Sequence, residues 1–210
     1  MSKLKNKFIL GVTGNIGSGK STVARMFKNQ DCALINADCL GHDLISSGTG
    51  VYGKIIKSFG RGILRSDNSI DRAKLSKIVF TQRAALAKLN GIVHPELIRQ
   101  IKRRIRKSNN KIIILDAALI IEAGLTSLVD KLVVVTAKKQ QQILRAQKSL
   151  GLVKKQVILR MKSQISQKAK LRFADFIIDN SSQLSKTQKQ VSKIRRLLAR
   201  LTHKDFLDKR

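Results

Sequence analysis

Gly14-Asn15-Ile16-Gly17-Ser18-Gly19-Lys20-Ser21 has glycine, lysine and a hydroxyl at every fixed position of the phosphate-binding pattern G-x-x-x-x-G-K-[ST]. Glycines let a backbone turn sharply and bring its N–H groups around a polyphosphate with no Cβ in the way. The Lys20 ammonium can then reach the β and γ phosphates, and the Ser21 hydroxyl can coordinate Mg²⁺. The alternative is a flexible glycine turn that binds nothing. Context speaks against it, because Phe8-Ile9-Leu10-Gly11-Val12 reads as a buried strand and Ser21-Thr22-Val23-Ala24-Arg25-Met26-Phe27 begins a helical pattern. Strand, loop and helix in that order are what the mechanism requires. Residues 14–22 are therefore a candidate nucleoside-triphosphate site.

Two carboxylates could complete the chemistry. Asp116 ends the apolar run Ile112-Ile113-Ile114-Leu115, as a metal-holding Walker B acid does. In a parallel sheet both loops leave from the same strand edge, so Asp116 and Ser21 could converge on one Mg²⁺. Its competing reading is an aspartate that starts a helix. Asp38 follows Leu34-Ile35-Asn36-Ala37 and could accept a hydrogen bond from an acceptor hydroxyl, orienting it for in-line attack. The competing account there is helix capping before Cys39-Leu40.

Elements able to hold these groups alternate along the chain. Apolar runs predict strands at 8–12, 33–36, 112–116, 132–136 and 176–179; helical periodicity covers 20–30, 71–89, 95–107, 138–149, 154–169 and 183–201. Such alternation argues for a mainly parallel sheet covered by helices. In the last helix Val191, Ile194, Leu197, Leu198 and Leu201 recur at helical spacing, which suits docking on the sheet better than a membrane surface. The section between the second strand and Ile112 is helical and carries no core strand. A basic helical stretch, residues 145–172, contains Arg145, Lys148, Lys154, Lys155, Arg160, Lys162, Lys168, Lys170 and Arg172. Its charge suits a lid over transferring phosphate, and equally a solvated helix pair.

The 43 Lys and Arg residues against 13 Asp and Glu give a formal charge of +30, a field that attracts ATP, polyanions and RNA alike. No RNA-reading motif accompanies it. The aromatics that single-strand binders stack on are scarce, with no Trp, one Tyr and seven Phe. A specific nucleic-acid partner is therefore not expected, although an RNA-binding P-loop ATPase stays open as an alternative. Cys32 and Cys39, without metal spacing, read as reduced thiols of an intracellular protein. The longest apolar region, 112–125, is interrupted by Asp116 and Glu122, so no membrane span is expected and the location expected is cytoplasmic.

The ordered set of motifs resembles the dephospho-CoA kinase family over nearly the whole length. It comprises Val12 to Ala24, Asn36-Ala37-Asp38 with His42, Ile70-Asp71-Arg72 with Val79-Phe80, and His94-Pro95. It continues with Leu115 to Glu122, Gln142-Ile143-Leu144-Arg145, Arg160 to Gln164, and Ala174-Asp175 through Asn180. The resemblance implies an α/β, nucleotide-kinase-like P-loop NTPase in one domain, 1–210. Its core would be 1–37, 110–144 and 173–210, with a helical acceptor-binding insertion at 38–109 and a lid at 145–172. It further implies ATP and Mg²⁺, and phosphorylation of the ribose 3′-hydroxyl of dephospho-CoA. Gly14, Asn15, Ile16, Gly17, Ser18, Gly19, Lys20, Ser21 and Thr22 would hold ATP, with Asn180 near its adenine and Ser21 and Asp116 at the metal. Lys20, Asp38 and Arg145 would be catalytic, Asp38 orienting or deprotonating the hydroxyl; Arg72 and His94 would help hold the acceptor. A kinase for another small acceptor, such as a nucleoside monophosphate, is the nearest alternative.

Three positions depart from the family pattern. Asn36 replaces an acidic residue, Ala118 replaces a proline, and Ser149 replaces a second lid arginine. They bear on rate and lid chemistry more than on the reaction, since Lys20, Ser21, Asp38 and Asp116 are intact. The apolar run between the early lysines and Thr13-Gly14 is too short for a signal-peptide core and reads as a strand instead.

Overall fold

A computed structural model describes the backbone of residues 7–207 and the side chains of residues 7–199. Residues 1–6 and the side chain of Leu201, both included in the sequence expectations, lie outside the described residues. The chain divides into two compact units, one of residues 1–35 and 108–210 and the other of residues 36–107.

The first unit is built on five strands: β1 (Phe8–Thr13), β2 (Cys32–Asn36), β3 (Ile112–Asp116), β4 (Lys131–Thr136) and β5 (Phe176–Asp179). They form one parallel sheet in the order β2-β3-β1-β4-β5. The runs are rich in Ile, Val and Leu because a parallel sheet is covered on both faces. Val12 of β1 stands in register with Asp116 of β3 and with Val133 of β4. That register sets the loop after β1 and the carboxylate of Asp116 at the same sheet edge.

Helices α1 (Lys20–Phe27) and α9 (Leu184–Leu207) supply a shared core. Val23, Ala24 and Phe27 of α1 and Val191, Ile194 and Leu198 of α9 pack with Leu10, Val12, Ile114, Val133, Val135 and Ile178 of the sheet. Each such large aliphatic contributes roughly 1.5–3 kcal/mol on burial, so the docked position of α9 needs no membrane. The same unit holds α6 (Lys139–Leu150), α7 (Lys154–Ser163) and α8 (Gln167–Leu171). Two aspartates pin strand starts. Asp130 accepts from the Ile9 N–H at 2.7 Å, and Asp175 accepts from the Leu132 N–H at 2.8 Å and pairs with Lys131 at 2.7 Å.

The second unit is helical: α2 (Ala37–Leu44), α3 (Gly50–Phe59), α4 (Arg72–Thr81) and α5 (Arg83–Lys107). Asn36, Thr49 and Asp71 cap the first three by accepting backbone N–H bonds. Leu44, Val51, Ile55, Ile63, Ile70, Leu75 and Val79 form its core.

Four helix boundaries differ from the sequence expectation. The 20–30 helix stops at Phe27. The 71–89 pattern breaks at Gln82, whose backbone is extended. The 154–169 pattern breaks between Ser163 and Gln167. Pro95 lies inside α5 rather than starting a helix; having no N–H, it forgoes one bond to the Gly91 carbonyl while the flanking turns continue.

Candidate functional site

Building from the loop upward, Gly19 (φ 87°) caps α1 in the left-handed region, and Thr22 and Val23 direct their N–H groups to its carbonyl. The first turn of α1 contains no acidic residue, so the positive end of its dipole favours an anion. Gly17 (φ 74°) is needed for a second reason: a Cβ there would lie 2.0 Å from the Gln142 carbonyl oxygen of α6. The loop backbone thus touches the backbone of α6 directly.

That contact fixes Arg145, three residues further along α6. One guanidinium nitrogen of Arg145 lies 4.0 Å from the Cβ position of Gly19. This nitrogen, Nη1, is buried and makes no hydrogen bond among the described residues. A buried guanidinium N–H without an acceptor is costly, and an anionic oxygen held by the loop would satisfy it.

On the other side of the loop the Lys20 ammonium donates to Ser21 Oγ at 3.4 Å and lies 3.7 Å from the Asp116 carboxylate. Asp116 is 1 % exposed. Turns rather than a helix follow it, which removes the helix-start reading. A hydroxyl and a carboxylate oxygen are the hard donors Mg²⁺ takes when substrate phosphates and water fill its other positions, so Ser21 and Asp116 fit that ion. No group of three His, Cys, Asp or Glu side chains that could hold a metal occurs among the described residues.

Asn180 is buried with both polar ends engaged. Its amide donates to the Ser18 carbonyl at 2.9 Å and its oxygen accepts from the Thr187 hydroxyl at 2.9 Å. It is therefore in contact with the loop expected to hold ATP. Gln142 is likewise buried, donating to the Ala137 carbonyl at 2.6 Å and to Gln167 at 3.0 Å.

Asp38, Arg72 and His94 belong to the second unit. Asp38 lies in the first turn of α2, but the cap of that helix is Asn36, which accepts from the Cys39 N–H at 2.8 Å. The capping account of Asp38 therefore fails, and the departure at Asn36 has its own structural use. Arg72 is exposed and donates to the His42 carbonyl at 3.4 Å; His94 is half-buried on α5. The same unit contains a pocket of about 550 Å³ lined by Leu44, Thr49, Val51, Ile92, Glu96 and Gln100 among others.

Sequence reasoning missed the supporting roles of Thr187, Gln142, Glu122 and Lys170. Gln142 and Glu122 stand in motifs that carried the resemblance, but nothing in their types marks the Gln142 carbonyl as a contact of the loop or Glu122 as the partner of Lys170. Among the expected lid cations, Lys148, Lys154, Lys155, Lys162, Lys168 and Arg172 are exposed, Arg145 and Arg160 half-buried, and Lys170 fully buried.

A family model described as dephospho-CoA kinase matches residues 8–186. A dephospho-CoA kinase of Carboxydothermus hydrogenoformans is 40% identical over 186 residues, covering 87% of this chain and 90% of that protein. One from Aquifex aeolicus is 40% identical over 192 residues, covering 91% and 97%. The solved structure of dephospho-CoA kinase from Campylobacter jejuni superposes with a TM-score of 0.65 at 26% identity, covering 92% of this chain and 98% of that one. With sequence, fold and loop geometry in agreement, the chain belongs to the dephospho-CoA kinase family.

Proposed function

We propose that this protein transfers the γ-phosphoryl group of ATP to the ribose 3′-hydroxyl of dephospho-CoA, yielding coenzyme A and ADP, the last step of coenzyme A biosynthesis. The observation that carries the reading is the convergence of Lys20, Ser21, Asp116 and the unsatisfied Arg145 nitrogen on one loop in a member of this family.

Phosphoryl transfer needs little covalent help; it needs the attacking oxygen in line and the charge on the equatorial oxygens neutralised. The N–H groups at the start of α1 and the Lys20 ammonium cradle the triphosphate. Ser21 and Asp116 would hold Mg²⁺, which would neutralise negative charge on the transferring phosphates. Arg145 donates to the oxygens that gain charge as the group leaves ADP. Asp38 accepts the hydrogen bond of the 3′-hydroxyl, aligns it, and takes its proton as the new O–P bond forms. Arg72 and His94 hold the anionic acceptor, residues 38–109 acting as the acceptor-binding insertion and 145–172 as the lid.

The pocket of the second unit suits the remainder of the acceptor. Leu44, Val51 and Ile92 match the methyl and methylene groups of a pantetheine arm, while Thr49, Glu96 and Gln100 can meet its amides. Leu44 stands six residues from Asp38 along α2, about 9 Å of helix rise, a span the arm covers. Free thiols at Cys32 and Cys39 suit a reducing cytoplasm.

The test is an acceptor screen. Purified protein with Mg·ATP should release ADP with dephospho-CoA and remain near background with nucleoside monophosphates, shikimate, gluconate or RNA. ADP release that ignores dephospho-CoA would remove the assignment.

A further inference from the structure

Among the described residues Lys170 is the largest fully buried side chain, with 0 % of its surface exposed. Its ammonium donates to the Ala118 carbonyl at 2.5 Å and meets the two Glu122 oxygens at 2.9 and 3.2 Å. Both of these partners lead on to the phosphate loop. The Ala118 carbonyl also accepts from the Thr13 hydroxyl at 3.1 Å, directly before Gly14. Glu122 Oε1 accepts from the Ile165 N–H at 3.2 Å, and the Ile165 carbonyl accepts from the Asn15 amide at 3.0 Å. Beside it, the Gln164 side-chain oxygen accepts from the Ile16 N–H at 2.9 Å. Two peptides, 118 and 165, thus hang on one buried ion pair, and each holds one flank of residues 13–16.

We infer that Glu122 and Lys170 are a positioning pair for the nucleotide: they set the shape of the phosphate loop through Ala118 and Ile165 without touching substrate. This rests on residues 14–22 binding ATP, and concerns how that site is kept in shape. A buried ion pair is a poor source of net stability, because desolvation cancels most of the attraction and well-packed apolar side chains do as well. What it supplies that apolar packing does not is direction. The carboxylate fixes the orientation of the Ile165 N–H, and with it the carbonyl that holds Asn15; the ammonium fixes the carbonyl shared with Thr13. Lys170 is therefore not among the cations of the basic stretch that reach phosphate.

The test separates shape from stability. Glu122→Gln leaves the buried Lys170 charge without its counter-charge, and Lys170→Met takes the cation from Glu122; each should lower Tm and raise the Kd for ATP at least tenfold. The double variant Glu122→Leu/Lys170→Met replaces the pair by apolar groups and should regain most of the Tm while the ATP Kd stays at least tenfold weak. Thr13→Val removes the hydroxyl bond to the Ala118 carbonyl that Lys170 holds, and leaves the ion pair in place. It should weaken ATP at least threefold with a modest drop in Tm, and it carries the test if the pair variants do not fold. Wild-type ATP affinity in the double variant, or in Thr13→Val, overturns the inference. Because ATP affinity is read by direct titration of the full chain without acceptor, the result stands whatever acceptor the enzyme uses. If wild-type protein itself bound no ATP, the functional assignment would fall instead.

Discussion

The side-chain amide of Asn180 donates to the carbonyl of Ser18 at 2.9 Å inside the protein, tying the segment after the last strand to the phosphate loop. Thr187 of α9 holds the other end of that amide at 2.9 Å. The loop's shape is thus set from three directions: Asn180 at Ser18, the Gln142 carbonyl at Gly17, and the 164–165 segment at Asn15 and Ile16.

Asn180→Ala should leave the Ser18 carbonyl and the Thr187 hydroxyl without partners. A lost buried hydrogen bond of this type costs about 1–3 kcal/mol, so KM for ATP should rise about tenfold while KM for dephospho-CoA changes little. The ATP-to-GTP preference discriminates further: an unchanged ratio marks a loop-holding role, and a collapsed ratio marks contact with the base.

Gly17→Ala should be far more damaging than its size suggests. The new Cβ would sit 2.0 Å from a helix carbonyl, at a φ of 74°, so α6 and Arg145 must shift. We expect kcat/KM for ATP to fall at least a hundredfold, by steady-state kinetics. Gly151, at φ 63° with open space around it, provides the control. Gly151→Ala carries only the left-handed backbone penalty of about 1–2 kcal/mol, visible in Tm and absent from kcat.

Asp38→Asn should retain ATP affinity and lose turnover. General-base positioning contributes about 10²- to 10⁴-fold, and the loss should appear in kcat. Lys20→Ala, by contrast, should damage ATP binding and kcat together. In the second unit, Ile92→Asp should raise KM for dephospho-CoA with kcat and KM for ATP nearly unchanged; equal KM would remove the pocket from the acceptor site.

Acid should weaken the first unit through Asp175. Burial pushes its carboxyl up, but hydrogen bonds from Lys131 and the Leu132 N–H, with the Lys131 charge, together hold it below the usual 3.8. A group depressed in the folded state stabilises above its unfolded pKa, and that contribution is lost as pH falls from about 4 through the folded value. In Asp175→Asn the drop of Tm over that acid range should be shallower than in wild type, as thermal melts at graded pH will read.

Much of this architecture was legible in the residues. The five apolar runs became five strands because Ile, Val and Leu in uninterrupted short stretches suit a sheet covered on both faces. The glycine-rich loop and Asp116 were readable because their chemistry demands fixed types at fixed places. What escaped has equally physical causes. Helix α2 (Ala-Asp-Cys-Leu-Gly-His-Asp-Leu) and α3, with two glycines, have weak intrinsic propensity, and their form comes from caps at Asn36 and Thr49 and packing on α5. Pro95 signals a helix start by local rules, yet neighbouring turns carry α5 through it. Lys170 could not be distinguished among 43 cationic side chains, since only the fold brings Glu122 and the Ala118 carbonyl to it. Asn36 and Asp38 stand two residues apart on one turn, and only the backbone geometry shows which of them caps.

The central claim is where the phosphoryl group goes. Incubation of the purified protein with γ-labelled ATP, Mg²⁺ and dephospho-CoA, followed by mass spectrometry and ³¹P NMR of the product, reads the answer directly. The account predicts stoichiometric label on the ribose 3′-oxygen, coenzyme A as the product, and near-complete loss of transfer in Asp38→Asn. Label released as inorganic phosphate regardless of dephospho-CoA, or found on any other oxygen of the acceptor, would contradict it.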